Sequence, residues 1–304
     1  MASERESRID LGRLGTQPSG RQPETKHNAG VSSNSPAQNR LKKVPQQGET
    51  PHGKTTAALS KKPKSPWTGY IKLYSLQFGA SDYFQVAEEV FKKKDSNPDH
   101  NPVVIVKSFS NAEAKSCMQY IQRINHKNFV PVRNFFSTNG ESFIAFEFMP
   151  LSLSELAGHP LMDDCRLASI LGQIVDGLVY LDDHCLEHTQ LTCSNILVDT
   201  AGNVKLWAQE HVQGGSDRKR HVQGLRRIAI QLIQGYIDED EPDGPGGIPQ
   251  CPDGLKFVSD MERASSTESL KKHSLLQLPW HKSRLAGMIS LVHIWVDRGY
   301  KFHP

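Results

Sequence analysis

The sequence predicts an α+β fold in two lobes, a β-rich one followed by an abbreviated helical one, behind a disordered basic tail. Three features lead there. Residues 1–66 hold 12 Lys and Arg against 5 Asp and Glu, with no Phe, Trp or Tyr. Such a composition cannot bury enough apolar surface to offset the entropy of ordering it. From Trp67 onward the apolar residues come in short β-branched and aromatic runs, and after EFMPLSLSEL they recur at helical spacing. The expected boundaries are therefore 1–66 for the tail, 67–150 for the first lobe and 151–304 for the second.

WTGYIKLYSLQF and DYFQVAEEVFKK read as two strands joined by a turn at Gly79, and PVVIVKSF as a third. In NAEAKSCMQYIQRI, Cys117, Tyr120, Ile121 and Ile124 fall on one helical face. NFVPVRNFFSTNGESFIAFEFM has the form of a hairpin turning at Asn139-Gly140. LSLSELA is expected to be helical. RLASILGQIVDGLVYLDDH then repeats apolar residues at Leu167, Ile170, Leu171, Ile174, Leu178 and Leu181. No helix is evident between 236 and 256.

The net charge of +3 is unevenly divided: the tail carries 12 − 5 = +7, which leaves 3 − 7 = −4 for the rest. No apolar run approaches the ~18 residues that a membrane helix needs. The start, MASERESRIDLGRLG, has no apolar signal core. The five cysteines, 117, 165, 185, 193 and 251, form no CxxC pair and suit reduced thiols. A cytoplasmic or nuclear protein without a membrane partner is expected. Lys61-Lys62-Pro63-Lys64 resembles a nuclear-import cluster, although a solvated basic tail explains it equally well. Nucleic acid ranks last among partners, because no reading motif or aromatic interleaving accompanies the basic residues.

The most telling stretch is HTQLTCSNILVDTAGNVKLWAQE, residues 188–210. Protein kinases carry H-R-D-L-x-x-x-N, a strand, and then D-F-G. His188, Leu191, Asn195, Ile196 and Leu197 stand where that pattern needs them. Residues 70–235 resemble a protein kinase catalytic domain, with GAS followed by VA most like p21-activated serine/threonine kinases and a pattern of decay that resembles fungal members. The resemblance makes Lys107 of VIVK the lysine that pairs with nucleotide phosphates. It puts Phe146 at the gatekeeper place, and Glu147 to Met149 along the adenine edge. HVQGLRRIAIQLIQG resembles a later helix of the family, with His221 where a buried aspartate belongs. FVSDMERASSTESLKKHSLL is similar to the family's last helices. The fold implied is a two-lobed protein-kinase-like one with a β-rich N-lobe and an abbreviated α-helical C-lobe.

Departures from the family are concentrated at the chemistry. Gln77, Gly79 and Asp82 stand at the three glycine places of the phosphate-covering loop, where small residues let backbone N–H groups approach phosphate. Cys117 replaces the helix glutamate that orients the lysine, and Glu113, one turn earlier, is off register, so Lys107 is expected to lack its usual partner. Gln190 stands at the base-aspartate place, and a positioned base is worth about 10²–10⁴ in rate. Ala208, Gln209 and Glu210 align with D-F-G, which leaves Ala208 at the magnesium-aspartate place, and Thr192 replaces the catalytic-loop lysine. Ile105 adds bulk where the family has alanine. Ala208 and His221 are only 221 − 208 = 13 positions apart, which is short for an activation segment, and no A-P-E lies between them.

These departures lead to the expectation of a pseudokinase: not an enzyme, but a scaffold or regulator working through protein contacts. It requires no cofactor, and ATP is possible without magnesium. The nucleotide-binding remnant would be Gly79, Ile105, Lys107, Phe146, Glu147, Met149, Asn195 and Leu197, with no metal ligand. The alternative is a weak or atypical ATP-dependent protein kinase, or a nucleotidyl transferase, using Lys107 and Asn195. Elsewhere, His184, Cys185, His188 and Cys193 invite zinc, but the resemblance already accounts for them. The acidic run 238–247 reads as a solvated loop, and Asp163-Asp164 and Asp182-Asp183 as helix caps or surface charges.

Overall fold

The computed structural model of the protein describes residues 65–78, 83–90, 101–215, 217–235 and 251–298. The tail, the turn at Gly79 with Asp82, and the acidic run 238–247 lie outside them. The chain divides into two units, Met1–Thr55 and Thr56–Pro304, and every described residue belongs to the second.

A five-stranded antiparallel sheet comes first: β1 (Tyr70–Leu76), β2 (Phe84–Glu89), β3 (Val103–Ser110), β4 (Val132–Ser137) and β5 (Glu141–Glu147), in the order β1-β2-β3-β5-β4. β3 is central because its β-branched run can be covered on both faces. Strand alternation sends Ile105 and Phe109 into a cluster with Ile144 and Phe146 of β5, and Val104 and Val106 into a second cluster with Phe143 and Ala145 on the opposite face. Lys107 shares the Ile105 face, opposite Ile144 in the register. The hairpin between β4 and β5 turns at Asn139-Gly140, as the sequence predicts.

α1 (Asn111–Ile121) starts at a capping box: Ser110 Oγ accepts from Glu113 N–H at 3.3 Å, and Glu113 accepts from Ser110 N–H at 2.9 Å. It buries Ala114, Cys117 and Ile121 against the sheet. The expected apolar face extends to Ile124, but the helix ends at Ile121. Arg123 and Ile124 donate instead to carbonyls three residues back, which tightens the chain out of the helix.

The second lobe is built on α2 (Asp164–Asp183), which is capped by Asp163 and buried along most of its length. Around it lie β6 (Leu151–Ser152), β7 (Leu186–His188), β8 (Ile196–Val198), β9 (Val204–Leu206), β10 (Val212–Gly214), α3 (Arg218–Gln234), α4 (Pro252–Asp260), α5 (Thr267–Leu270) and α6 (Ala286–Arg298). β6, β8 and β9 form one small sheet, and β7 and β10 pair as another. This β-rich part and helical part give the two-lobed kinase-like α+β architecture.

The structure corrects several local expectations. LSLSELA forms a two-residue strand and a 3₁₀ turn, Leu153–Leu156, because Leu151 and Ser152 pair with Val198 and Leu197 of β8. α4 starts at Pro252, inside the stretch where no helix was evident. α6 follows the segment expected to hold the last helices. It was hidden because apolar residues occur on both its faces: Met288, Ile289 and Val292 are buried, while Leu291, Ile294 and Val296 are exposed.

The β8–β9 turn makes the first prediction. Asp199 Oδ1 accepts from the N–H groups of Ala201 and Asn203, each at 2.9 Å, and Gly202 adopts φ +80°. A Cβ there would run into the Lys282 carbonyl. Gly202→Ala should therefore cost about 2 kcal/mol, from a left-handed non-glycine residue plus the clash. A urea unfolding curve reads it directly, and an unchanged midpoint would rule out this turn geometry.

Candidate functional site

Between the two lobes, residues from β2, β3, β5, β8 and the segment after β9 converge. The apolar part is one buried cluster containing Ile105, Phe146, Met149, Leu197, Trp207 and Ala208 together with Phe78 and Phe84. Four aromatic rings run across it. Phe78 and Phe84 lie 5.0 Å apart, Phe84 and Trp207 6.0 Å, and Trp207 and Phe146 4.7 Å, the last pair edge to face. Phe84 and Trp207 are each 2% exposed. These rings, Phe146 among them, share one buried cluster with Ile105 and Leu197, where the family resemblance puts adenine. The base end of the cleft is thus packed with protein.

The polar end has a feature that the sequence reading missed. Lys107 Nζ forms an ion pair with a Glu210 carboxylate oxygen, with the two side chains 16% and 12% exposed. Lys107 therefore lacks the usual α1 partner, as expected, but holds another in its place. The partner comes from the 3₁₀ turn Gln209–His211 and not from α1. That turn is fixed on several sides. Ala208 takes a left-handed conformation at φ +54°, Gln209 donates to the Val130 carbonyl at 2.5 Å, and Thr189 N–H donates to the His211 carbonyl at 3.0 Å. The second oxygen of Glu210 is buried without a hydrogen-bond partner. A sequence signal existed, since Glu210 is the one acidic residue in WAQEHV.

Glu113 makes no ion pair with Lys107: its carboxylate is spent on Ser110, whose hydroxyl and then N–H, with a smaller contribution from the Lys107 charge, hold it below the usual carboxylate range. Burial pushes the Cys117 thiol up to about 11, and the Glu210 charge adds to the shift. Asn195 is buried, and its side-chain amide donates to the Gln190 carbonyl at 2.9 Å, which ties the loop 190–195 closed. Gln190 and Thr192 are exposed on that loop, and Ala208 is buried. Glu147 turns away from the cleft, its carboxylate pairing with Lys205 and, at 3.5 Å, with Arg133.

Behind the loop lies a buried polar network. His188 Nε2 donates to the Trp207 carbonyl at 2.8 Å, and His188 N–H donates to His221 Nε2 at 3.1 Å. Because that nitrogen accepts, His221 carries its proton on Nδ1, facing Asp182 Oδ1 at 2.8 Å. The other Asp182 oxygen accepts from the Thr267 hydroxyl. Asp182 is therefore an internal anchor, not the cap or surface charge expected, while Asp163 is a cap. Glu187, also buried, pairs with Arg220 at the start of α3 and ties down the short segment between β9 and α3.

The donors fit a divalent ion poorly. Ala208 offers no ligand, the Glu210 carboxylate is engaged by Lys107, and the Asn195 amide is committed to the loop. Among the described residues no group of three or more His, Cys, Asp and Glu could hold a metal. His184 is exposed and its Nδ1 lies 2.7 Å from the Tyr180 carbonyl, while His188 and Cys193 are buried. Among the described residues no helix is long and apolar enough to cross a membrane.

Comparison with known proteins agrees with this architecture. The family model for the protein kinase domain matches residues 89–208. The chain is similar to Mitogen-activated protein kinase sma-5 of Caenorhabditis elegans, 28% identical over 120 residues, which cover 35% of this chain and 24% of the relative. It is similar to Aurora kinase B of Danio rerio, 24% identical over 176 residues, covering 56% and 54%. It is also similar to Mitogen-activated protein kinase kinase kinase 1 of Arabidopsis thaliana, 31% identical over 103 residues, covering 31% and 17%. The chain thus spans about half or less of the length of these relatives. It carries a protein-kinase-like domain. These matches overturn the expectation, drawn from Gln190 and Ala208, that the chain is not an enzyme: the matched region is that of a kinase domain, and the relatives are kinases by name.

Proposed function

We propose that this chain is an atypical, slow ATP-dependent phosphotransferase of the protein-kinase type, working from Lys107 and Asn195. The observation that carries this reading is the half-buried ion pair of Lys107 with Glu210 at the polar end of the cleft. A lysine held by a carboxylate is a fixed positive charge, and phosphoryl transfer is largely positioning and electrostatic stabilisation. Lys107 is the group to meet the phosphates. Asn195, through the Gln190 carbonyl, keeps the loop shaped for an acceptor hydroxyl. Gln190 cannot take a proton, so the chain forgoes about 10²–10⁴ in rate that a positioned base supplies. No step is assigned to a metal, because the donors do not suit one. The partners under this reading are ATP, held without a metal of the chain's own, and a protein acceptor. The base of the nucleotide can enter only if Phe84 and Trp207 part.

The test is transfer of labelled γ-phosphate from ATP by the full chain, to itself or to a protein acceptor. Lys107→Met should lower the rate by at least about tenfold, the loss typical of removing one phosphate-stabilising charge. Equal labelling by the wild type and Lys107→Met would overturn the reading.

A further inference from the structure

We propose that Glu210 is the positioning residue for Lys107, and that it does from the turn after β9 what a carboxylate on α1 does in the proteins this chain resembles. The proposal rests on the phosphotransfer reading for its purpose, though not for its geometry. The α1 side of the site brings no anion into contact with Lys107. Cys117 faces Lys107 and Glu210, is buried, and is held as a neutral thiol. Glu113 is exposed and committed to the capping box. Among the described residues, the carboxylate in contact with Lys107 Nζ is that of Glu210.

The origin of that carboxylate matters physically. Glu210 sits on a turn held by the left-handed Ala208, by the Gln209 side chain donating to the Val130 carbonyl just before β4, and by the Thr189 N–H donating to the His211 carbonyl. Lys107 is therefore tied across the cleft to the turn after β9, against which α1 packs. Removing the carboxylate leaves a half-buried ammonium with no counter-charge, whose side chain loses its fixed direction. Cys117 stands beside the pair, so a carboxylate placed there reaches the same ammonium from the opposite wall.

The experiment is a relocation of the charge in the full chain, using Glu210→Gln, Cys117→Glu and the double variant. Binding of fluorescently labelled ATP is the first readout. Glu210→Gln should weaken it about tenfold or more, and Cys117→Glu in the same chain should recover most of that loss, since a relocated counter-charge restores the fixed ammonium. Unchanged binding in Glu210→Gln, or no recovery in a folded double variant, would overturn the proposal. The second readout is a double-mutant cycle of Lys107→Met with Glu210→Gln on the urea midpoint, which needs no nucleotide. If the wild type binds no ATP, the phosphotransfer reading falls, and the cycle still decides the pairing. Non-additive midpoints support the proposal, and additive ones overturn it.

Discussion

Trp207→Ala should lower stability by about 3–5 kcal/mol, the usual range for deleting a buried large aromatic ring. Trp207 is 2% exposed, and its ring packs edge to face on both Phe84 and Phe146. Its backbone joins three elements: the N–H donates to the Asn195 carbonyl at 2.9 Å, and its own carbonyl accepts from His188. The alanine variant keeps these backbone bonds, so the loss isolates ring packing. The space it opens lies beside Ile105 and Leu197, and the backbone on either side cannot collapse fully into it. Urea unfolding measures the loss, and a cost below about 1 kcal/mol would contradict the packing described. Because the cavity opens where the ring now excludes a base, millimolar ATP should raise Tm more in this variant than in the wild type, as ligand binding to the native state requires. A smaller shift in the variant would mean that the aromatic packing is not what restricts the cleft.

What could be read from the sequence and what could not divides by distance along the chain. The alternation in VVIVKSF, the helical period of α2 and the Asn139-Gly140 turn are local patterns, and each survives in the structure because packing agrees with it. The contacts that shape the site are not local. Lys107 and Glu210 are 103 residues apart, and Asp182 reaches His221 and Thr267 across 39 and 85. No periodicity reports such pairs. Aligning Glu210 with a glycine concealed that its longer side chain reaches back to the lysine. LSLSELA misled for a related reason: its composition favours a helix, but the pairing of Leu151 and Ser152 with β8 outweighs a weak local propensity. Phe84 and Trp207 were visible as aromatics, but only the fold brings them together over the cleft.

Below about pH 6 the protein should lose stability through His188. Its imidazole is 1% exposed, with Nε2–H donating to the Trp207 carbonyl and Nδ1 buried without a partner. Burial is the main cause that pushes its pKa down from 6.5 to about 4. The Trp207 hydrogen bond and the charge of Glu210 oppose that shift, while His211 and His221 add to it. The native state thus stays neutral at a pH where the unfolded chain takes up a proton. The contribution is fully present above about pH 6.5 and is lost progressively as pH falls toward about 4, to a total of about 3 kcal/mol. His126 and His159 are also held below their ordinary value by burial and tilt the curve the same way. The decisive measurement is therefore a difference: urea midpoints between pH 7.5 and 5 for the wild type and for His188→Gln, whose side-chain amide can donate to the same carbonyl without titrating. The variant should be less stable at pH 7.5 yet fall less steeply with acid. Parallel pH curves would show that the acid sensitivity arises at other groups.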